Sequence, residues 1–256
     1  MTELGKIERK NMKERSITGN SIAFIYYEIP DFYTCVFLIE KKTRIFVIDT
    51  FCGSVSMEPV LKHIAKVCPE KEVIVVNSHF HWDHVWGNVA FKDKTIIGHR
   101  FCHEDLLSNW EHQINNHGQY ISGEVDIVLP SLTFDKSIFF PDDQIEIFHS
   151  PGHTRDCISV FDHDEGSLYV GDNVEEPIIY VGDPDIETYV ATLNHYLSLS
   201  TRKIFSSHTL EITDKEIQRT IDYLIKIKSG IDVDLDTAYE RRVHSENLAV
   251  LKSPTY

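Results

Sequence analysis

Three apolar runs lead the patterned part of the chain: SIAFIYYEI (21–29), YTCVFLIE (33–40) and TRIFVIDT (43–50). All are rich in β-branched and aromatic residues and are separated by short polar turns, which predicts an antiparallel meander. From Ser56 to Val67 the spacing changes. Val60, Leu61, Ile64, Ala65 and Val67 recur at helical intervals, and Pro69 stops the helix. EVIVVN (72–77) is a short unbroken apolar run, the mark of a buried strand, and TIIG (95–98) is another short strand. Residues 99–125 read as a helical insertion carrying Trp110, His112 and His117. QIEIFHS (144–150), CISVFDH (157–163), SLYVGD (167–172) and KIFSSH (203–208) predict further strands. Residues 185–199, 213–229 and 234–250 predict helices, and the polar residues 1–20 are expected to be peripheral.

Two sheets with helices outside is the natural way to bury so many strands. The 256 residues are 42% hydrophobic, with 14 Phe and 11 Tyr, which is ample for a filled core. No Pro/Gly/Ser-rich linker divides them, so a single domain over 1–256 is expected. A formal charge of −15 repels phosphate backbones and makes nucleic acid a poor partner. Cys35, Cys52, Cys68, Cys102 and Cys157 are odd in number and form no CxxC, which fits free thiols in a reducing cytosol. The N-terminal stretch lacks an apolar signal core, and no run is long enough to span a membrane. A soluble cytoplasmic protein acting on a small molecule is therefore expected. The apolar Leu224, Ile225 and Ile227 raise the expectation of a homodimer through the C-terminal helices.

The stretch NSHFHWDHVWGN (77–88) changes this bland picture, because His79, His81, Asp83 and His84 fall within six positions at the end of a buried strand. Neutral imidazoles and carboxylates brought together from rigid elements are what a first-row divalent metal takes. Residues two apart in extended chain point the same way, so His79 and His81 can grip one ion from one side. Asp83 and His84 lie beyond, where the chain turns into a helix, and face a different point. That suggests two ions, which need further ligands. His153 in SPGHTRD (150–156), Asp172 in YVGDN (169–173) and His208 in FSSHT (205–209) each sit where a strand leaves its sheet. Singly, each is as ordinary as a turn residue or a surface histidine; His112 and His117 are candidates to line a cleft.

HFHWDH, PGHT, GD and a late strand-end His, in that order, resemble the metallo-β-lactamase superfamily over residues 21–225. The resemblance implies an α+β fold, the four-layer αββα sandwich of the metallo-β-lactamase type, with a metal site along one edge of the sheets. It implies that His79, His81 and His153 hold one metal, that Asp83, His84 and His208 hold the other, and that Asp172 bridges them. Asp49 resembles the family's buried aspartate that braces the histidine loop. The ions would be zinc, with iron or manganese as alternatives. A water shared by the two ions would be acidified into a nucleophile for a carbonyl carbon, with Asp83 orienting it. His84 and Asp172 make the chain more like the glyoxalase II, lactonase and general hydrolase branches than the antibiotic-degrading enzymes. Small esters, thioesters or lactones are the expected substrates. An iron-dependent redox activity and a phosphodiesterase or ribonuclease activity are the alternatives. Tyr180 and Asn173 are candidate donors to an oxyanion.

Overall fold

The computed structural model describes residues 12–67 and 69–252; Cys68 and most of the expected peripheral N-terminal segment, residues 1–11, lie outside them. Seven strands form the first sheet, side by side in chain order: β1 (Met12–Ser16), β2 (Ser21–Tyr26), β3 (Thr34–Glu40), β4 (Arg44–Ile48), β5 (Glu72–Val76), β6 (Thr95–His99) and β7 (Leu132–Phe134). The first four are antiparallel, as the meander predicts, and β4 to β7 run parallel. The second sheet has the order β13-β12-β11-β10-β9-β8. It comprises β8 (Ser137–Phe140), β9 (Ile145–His149), β10 (Ile158–Asp162), β11 (Ser167–Tyr169), β12 (Lys203–Ser206) and β13 (Leu210–Ile212). Only β11 and β12 pair in parallel within it.

Helices supply the crossovers that parallel neighbours require. α1 (Ser54–Val67) links β4 to β5, the short α2 (Trp82–Val85) follows β5, and α3 (Arg100–His117) links β6 to β7. α4 (Ile186–Ser198) links β11 to β12, and α5 (Asp214–Lys228) and α6 (Ala238–Val250) close the chain. Thr213 and Thr237 start the last two helices with reciprocal capping boxes to Glu216 and Glu240.

The unbroken apolar runs are explained by burial on both faces. Along β3, β4 and β5 alternate residues divide between two cores. Val36, Leu38, Ile45, Val47, Val73 and Val75 pack beneath Met57, Val60 and Ile64 of α1. Phe37, Ile39, Phe46, Ile48, Ile74 and Val76 face Ile147, Val160, Tyr169 and Phe205 of the other sheet. A third core lies between the second sheet and the helices α4 and α5, where Leu168, Val170 and Ile204 meet Tyr189, Leu193, Ile217 and Leu224. Three apolar layers between four layers of structure make the αββα sandwich.

Two expectations need correction. Residues 12–16 are not peripheral; they are β1, paired from Met12↔Tyr26 to Ser16↔Ile22. Their sequence, MKERS, is polar because an edge strand contributes its main chain, and charged side chains blunt the free edge. Of the three apolar residues expected to face a second copy, Leu224 and Ile227 are buried in the chain's own third core, leaving only Ile225 exposed.

Antiparallel pairing puts the ends of β3 and β10 at the edge opposite the C-terminal ends of β4, β5, β11 and β12. There Lys41, 6% exposed, donates to Asp162 at 2.8 Å and to Asp164 at 2.8 Å. Asp162 is fully buried and also takes Asn20 Nδ2 and the main-chain N–H groups of Asp164 and Glu165. Removing the cation leaves a buried carboxylate without its counter-charge. Lys41→Met is expected to lower stability by about 3–5 kcal/mol in urea unfolding; a loss under about 1 kcal/mol would show the pair to be dispensable, as exposed pairs are.

Candidate metal centre

Each residue of the centre sits where the chain leaves one edge of the sandwich. Asp49 follows β4, residues 77–84 follow β5, Asp172 follows β11 and His208 follows β12. His153 lies in the turn from β9 to β10, which opens on the same edge. The loop after β5 is held from both ends. Asn77 and Asn88 exchange side-chain hydrogen bonds at 3.0 and 2.9 Å, and Thr50 Oγ1 donates to Asn88 at 2.9 Å. Gly87 permits the close pass against β4, for a Cβ there would lie 1.8 Å from the Thr50 carbonyl oxygen. α2 then carries Asp83 and His84 inward, both buried.

Asp49 lies beneath this loop, fully buried and at φ +65°. Its Oδ1 accepts from the Ser78 main-chain N–H at 2.7 Å and its Oδ2 from Ser78 Oγ at 2.8 Å. The same Oδ2 accepts from His84 Nδ1 at 2.8 Å. Because the Ser78 hydroxyl proton goes to Asp49, the contact of 3.0 Å between Ser78 Oγ and His79 Nδ1 has the imidazole as donor. One carboxylate therefore fixes two rings with Nδ1 as donor, turning Nε2 of both His79 and His84 toward the centre; on neutral His79 that nitrogen is a bare lone pair. Main-chain carbonyls do the same for two more rings. His153 Nδ1 donates to the Tyr180 oxygen and His208 Nδ1 to the Tyr33 oxygen, each at 2.8 Å.

These nitrogens converge. His79 Nε2 and His153 Nε2 each lie 3.0 Å from His81 Nδ1. At most one proton, on His81, can lie among the three. Asp172 Oδ2 is 3.0 Å from His208 Nε2, 3.2 Å from His84 Nε2, 3.6 Å from His79 Nε2 and 3.9 Å from His153 Nε2. It thus stands between both histidine groups. Asp83 Oδ2 lies 3.4 Å from His84 Nε2 and 3.6 Å from His208 Nε2. All seven residues expected to gather do so. They form three overlapping triads, His79–His81–His153, His79–His84–Asp172 and Asp83–His84–His208, with donor atoms within 4.8 Å of one another.

The electrostatics divide along the same line. Burial lowers His79, His153 and His81, the last to about 3, and mutual repulsion adds to it. These rings stay neutral, the ligating form. Burial also opposes charge on His84 and His208. There the carboxylates outweigh it, Asp172 foremost, and raise both, His208 to about 9. Asp83 is drawn down to about 2, since His84 overcomes its desolvation, and Asp172 falls well below the usual carboxylate range for the same kind of reason. Buried His84 Nε2 and Asp172 Oδ1 have no hydrogen-bond partner. Bare imidazole nitrogens and carboxylate oxygens with unfilled valence, at contact distance, are a donor set that fits borderline divalent cations.

The centre opens into a cavity of about 620 Å³. His112 and His117 line it, as expected, and so does Tyr180. Trp82 also faces it, with His117 stacked on its ring at 4.6 Å. Asn173 is not available to a substrate. It is fully buried, its amide donates to the Ser150 carbonyl and to Tyr196 Oη, and its oxygen accepts from the His153 N–H at 2.8 Å. Its place is beneath His153 rather than in the cavity. Sequence reasoning missed Phe32, edge-on to His208 at 4.6 Å, and the lining residues Glu175, Arg242 and Glu246. Burial raises Glu175 to about 7, with Asp172 also pushing it up. None of the four belongs to a motif, though Glu175 lies only three residues past Asp172.

The family model described as "Metallo-beta-lactamase superfamily" matches residues 29–208. Among curated proteins, the chain is 24% identical over 186 residues to a "Beta-lactamase-like protein 2 homolog" of Drosophila melanogaster, covering 68% of this chain and 58% of that protein. It is 27% identical over 153 residues to a "Hydroxyacylglutathione hydrolase" of Pelagibacter ubique, covering 57% of this chain and 52% of that one. The chain thus spans little more than half the length of these relatives. A solved metallo-beta-lactamase from Pontibacter korlensis superposes with a TM-score of 0.67 at 16% identity, over 84% of this chain and 99% of that one, a likeness of fold. Among the described residues no helix is long and apolar enough to cross a membrane.

Below the His153 turn a further carboxylate is fully buried. Asp156 accepts from Thr154 Oγ1 at 2.6 Å, while its Oδ2 has no partner. Burial pushes it up to about 7, with Asp105 adding to the rise. A carboxyl raised in the folded state holds its proton more tightly there. Its contribution is complete below the ordinary carboxylate range and is lost as pH climbs through about 7. Asp156→Asn is therefore expected to exceed the natural chain in stability at pH 8 by on the order of 2–4 kcal/mol, and to lose that advantage below about pH 4. Denaturant unfolding across this range checks it; a pH-independent difference would place the titration elsewhere.

Proposed function

Because the chain belongs to the metallo-β-lactamase superfamily, we propose that it is a metal-dependent hydrolase of small esters, thioesters or lactones with two divalent cations, zinc by preference, in the centre described above. His79, His81 and His153 would hold one ion and Asp83, His84 and His208 the other, with Asp172 between them. The observation that carries this is the position of Asp172 Oδ2, within 3.9 Å of imidazole nitrogens from both groups. When bound, the ions supply Lewis acidity, polarising a carbonyl oxygen and bringing the pKa of a water toward neutrality.

The chain's own groups do the rest. Asp49 holds the His79 and His84 rings with Nδ1 engaged, so that Nε2 of each would face an ion. Thr34 Oγ1 donates to Asp83 Oδ2 at 3.2 Å. That bond fixes the carboxylate, which then orients the attacking water and takes up its proton. Arg242 Nη1 donates to Tyr180 Oη at 3.0 Å, so the phenol proton is free to be donated to a substrate oxygen in the cavity. Phe32, Phe80 and Trp82 line the cavity beside the ligating set and exclude water from around the reacting atoms. Its volume suits a small molecule. The hydrolysis named for the Pelagibacter relative is of this class.

Elemental analysis of the purified chain is expected to find about two equivalents of zinc. Chelation should abolish hydrolysis of a thioester and lactone panel, and zinc should restore it. His81→Ala should be inactive with or without added zinc; turnover that survives both chelation and this substitution would refute the proposal. Asp49→Asn keeps a side chain of the same shape but withdraws the charge and the fixed acceptor. It should weaken zinc binding by roughly 10–100-fold in competition with a chromophoric chelator; unchanged affinity would remove Asp49 from this role.

A further inference from the structure

Glu175 lies in the loop after Asp172 and lines the cavity of the metal centre, yet the mechanism above does not use it. Its side chain is 6% exposed. Its Oε1 accepts from the Tyr180 main-chain N–H at 3.0 Å, and among the described residues its Oε2 has no hydrogen-bond partner. The side chain is thus largely withdrawn from bulk water with one oxygen undonated, and a donor from a ligand in the cavity would be favourable there.

The rest of the lining points to the charge of that donor. Outside the proposed ligands, the acidic side chains facing the cavity are Asp31, Glu175 and Glu246. The single Lys or Arg there is Arg242, and it is already engaged. It donates to Tyr180 Oη at 3.0 Å, Glu246 at 3.2 Å and Asp31 at 3.3 Å. An anionic substituent would have to displace two carboxylates from this guanidinium and pass a third. A cationic one meets Glu175 with its acceptor free.

We propose that Glu175 is a specificity-determining residue, and that the substrate carries a protonated amine on the side of the scissile bond facing Glu175. This rests on the hydrolase reading of the same site. The ammonium N–H donates to Glu175 Oε2, while Asp31 and Glu246 at the mouth turn away carboxylate- and phosphate-bearing competitors, discrimination by repulsion as well as attraction.

The test uses the zinc-loaded full chain and three butyryl thioesters matched in size. Their leaving groups are 2-(dimethylamino)ethyl, its carbon isostere 3-methylbutyl, and 2-carboxyethyl. The expected order of kcat/KM is cationic, neutral, anionic, with the first two about tenfold apart, the worth of one charge-assisted hydrogen bond. Glu175→Gln retains an acceptor for the Tyr180 N–H, so the loop stays in place. It should erase the cationic advantage and leave the neutral thioester within about threefold of its natural rate. A preference for the anionic thioester, or an equal loss on all three, would overturn the proposal, the latter because it places Glu175 at the reacting atoms. Calorimetric binding of the inert butyramide of 2-(dimethylamino)ethylamine separates this from the hydrolase reading. Binding weakened about tenfold in Glu175→Gln supports the amine site even if no thioester turns over. Equal or absent binding in both proteins refutes it even if all three do.

Discussion

Five imidazoles and two carboxylates cannot share one buried space on their own terms. Three neutral rings converge their nitrogens to 3.0 Å with at most one proton among them. Beside them, Asp83 and Asp172 are held ionised by His84 and His208, whose affinity for protons the two carboxylates raise in turn. Such crowding is costly, and a divalent cation is the kind of group that would relieve it. Much of the surrounding structure serves to hold it regardless. Asp49 fixes two rings from below, the Tyr33 and Tyr180 carbonyls fix two more, and Asn173 ties the His153 main chain to Ser150 and Tyr196. Pre-organisation of this kind moves the cost of assembly into folding, so that little remains when an ion arrives.

The sandwich makes this possible through the direction of its strands. β4, β5, β11 and β12 all end on the same edge, and a strand end is a rigid point from which a short loop can be aimed. The clustered residues are dispersed in sequence because they come from separate chain exits on this edge: residues 79–84 after β5, His153 in the turn from β9 to β10, Asp172 after β11 and His208 after β12. The opposite edge has no such work, and there the two sheets are joined by an ordinary buried pair, Lys41 with Asp162.

What could be read from sequence followed from how much local information each feature carried. HFHWDH is dense enough to identify itself, and it ordered the interpretation of His153, Asp172 and His208, which alone say little. Runs such as FVIDT and EVIVVN announced strands because both of their faces are buried. β1 was invisible because its pairing uses the main chain while its side chains face water, and β7, β8 and β13 are only three or four residues long. Glu175 and Arg242 left no pattern, because their meaning comes from where the loop after Asp172 and the helix α6 are carried. The apolar residues of α5 misled for a related reason: periodicity shows that a face is buried and not which neighbour buries it.

The loop after Asp172, the helix α6 and the His153 turn are also mechanically one. Asn247 of α6 is 1% exposed; it accepts from the Val181 N–H and donates to the Ile179 carbonyl, each at 2.8 Å. Between those two contacts lies Tyr180, whose carbonyl orients His153 and whose hydroxyl meets Arg242. Gly182, two residues past Tyr180, donates to the His153 carbonyl at 2.7 Å and has no room for a side chain, since a Cβ would stand at 2.7 Å from that same oxygen. A shift of α6 would therefore be felt at His153 through one amide side chain and one turn. Variation among close relatives of this chain should then be freer at the exposed rim, Asp31 and Glu246, than at Asn247. The rim alters what enters, whereas Asn247 alters where His153 stands.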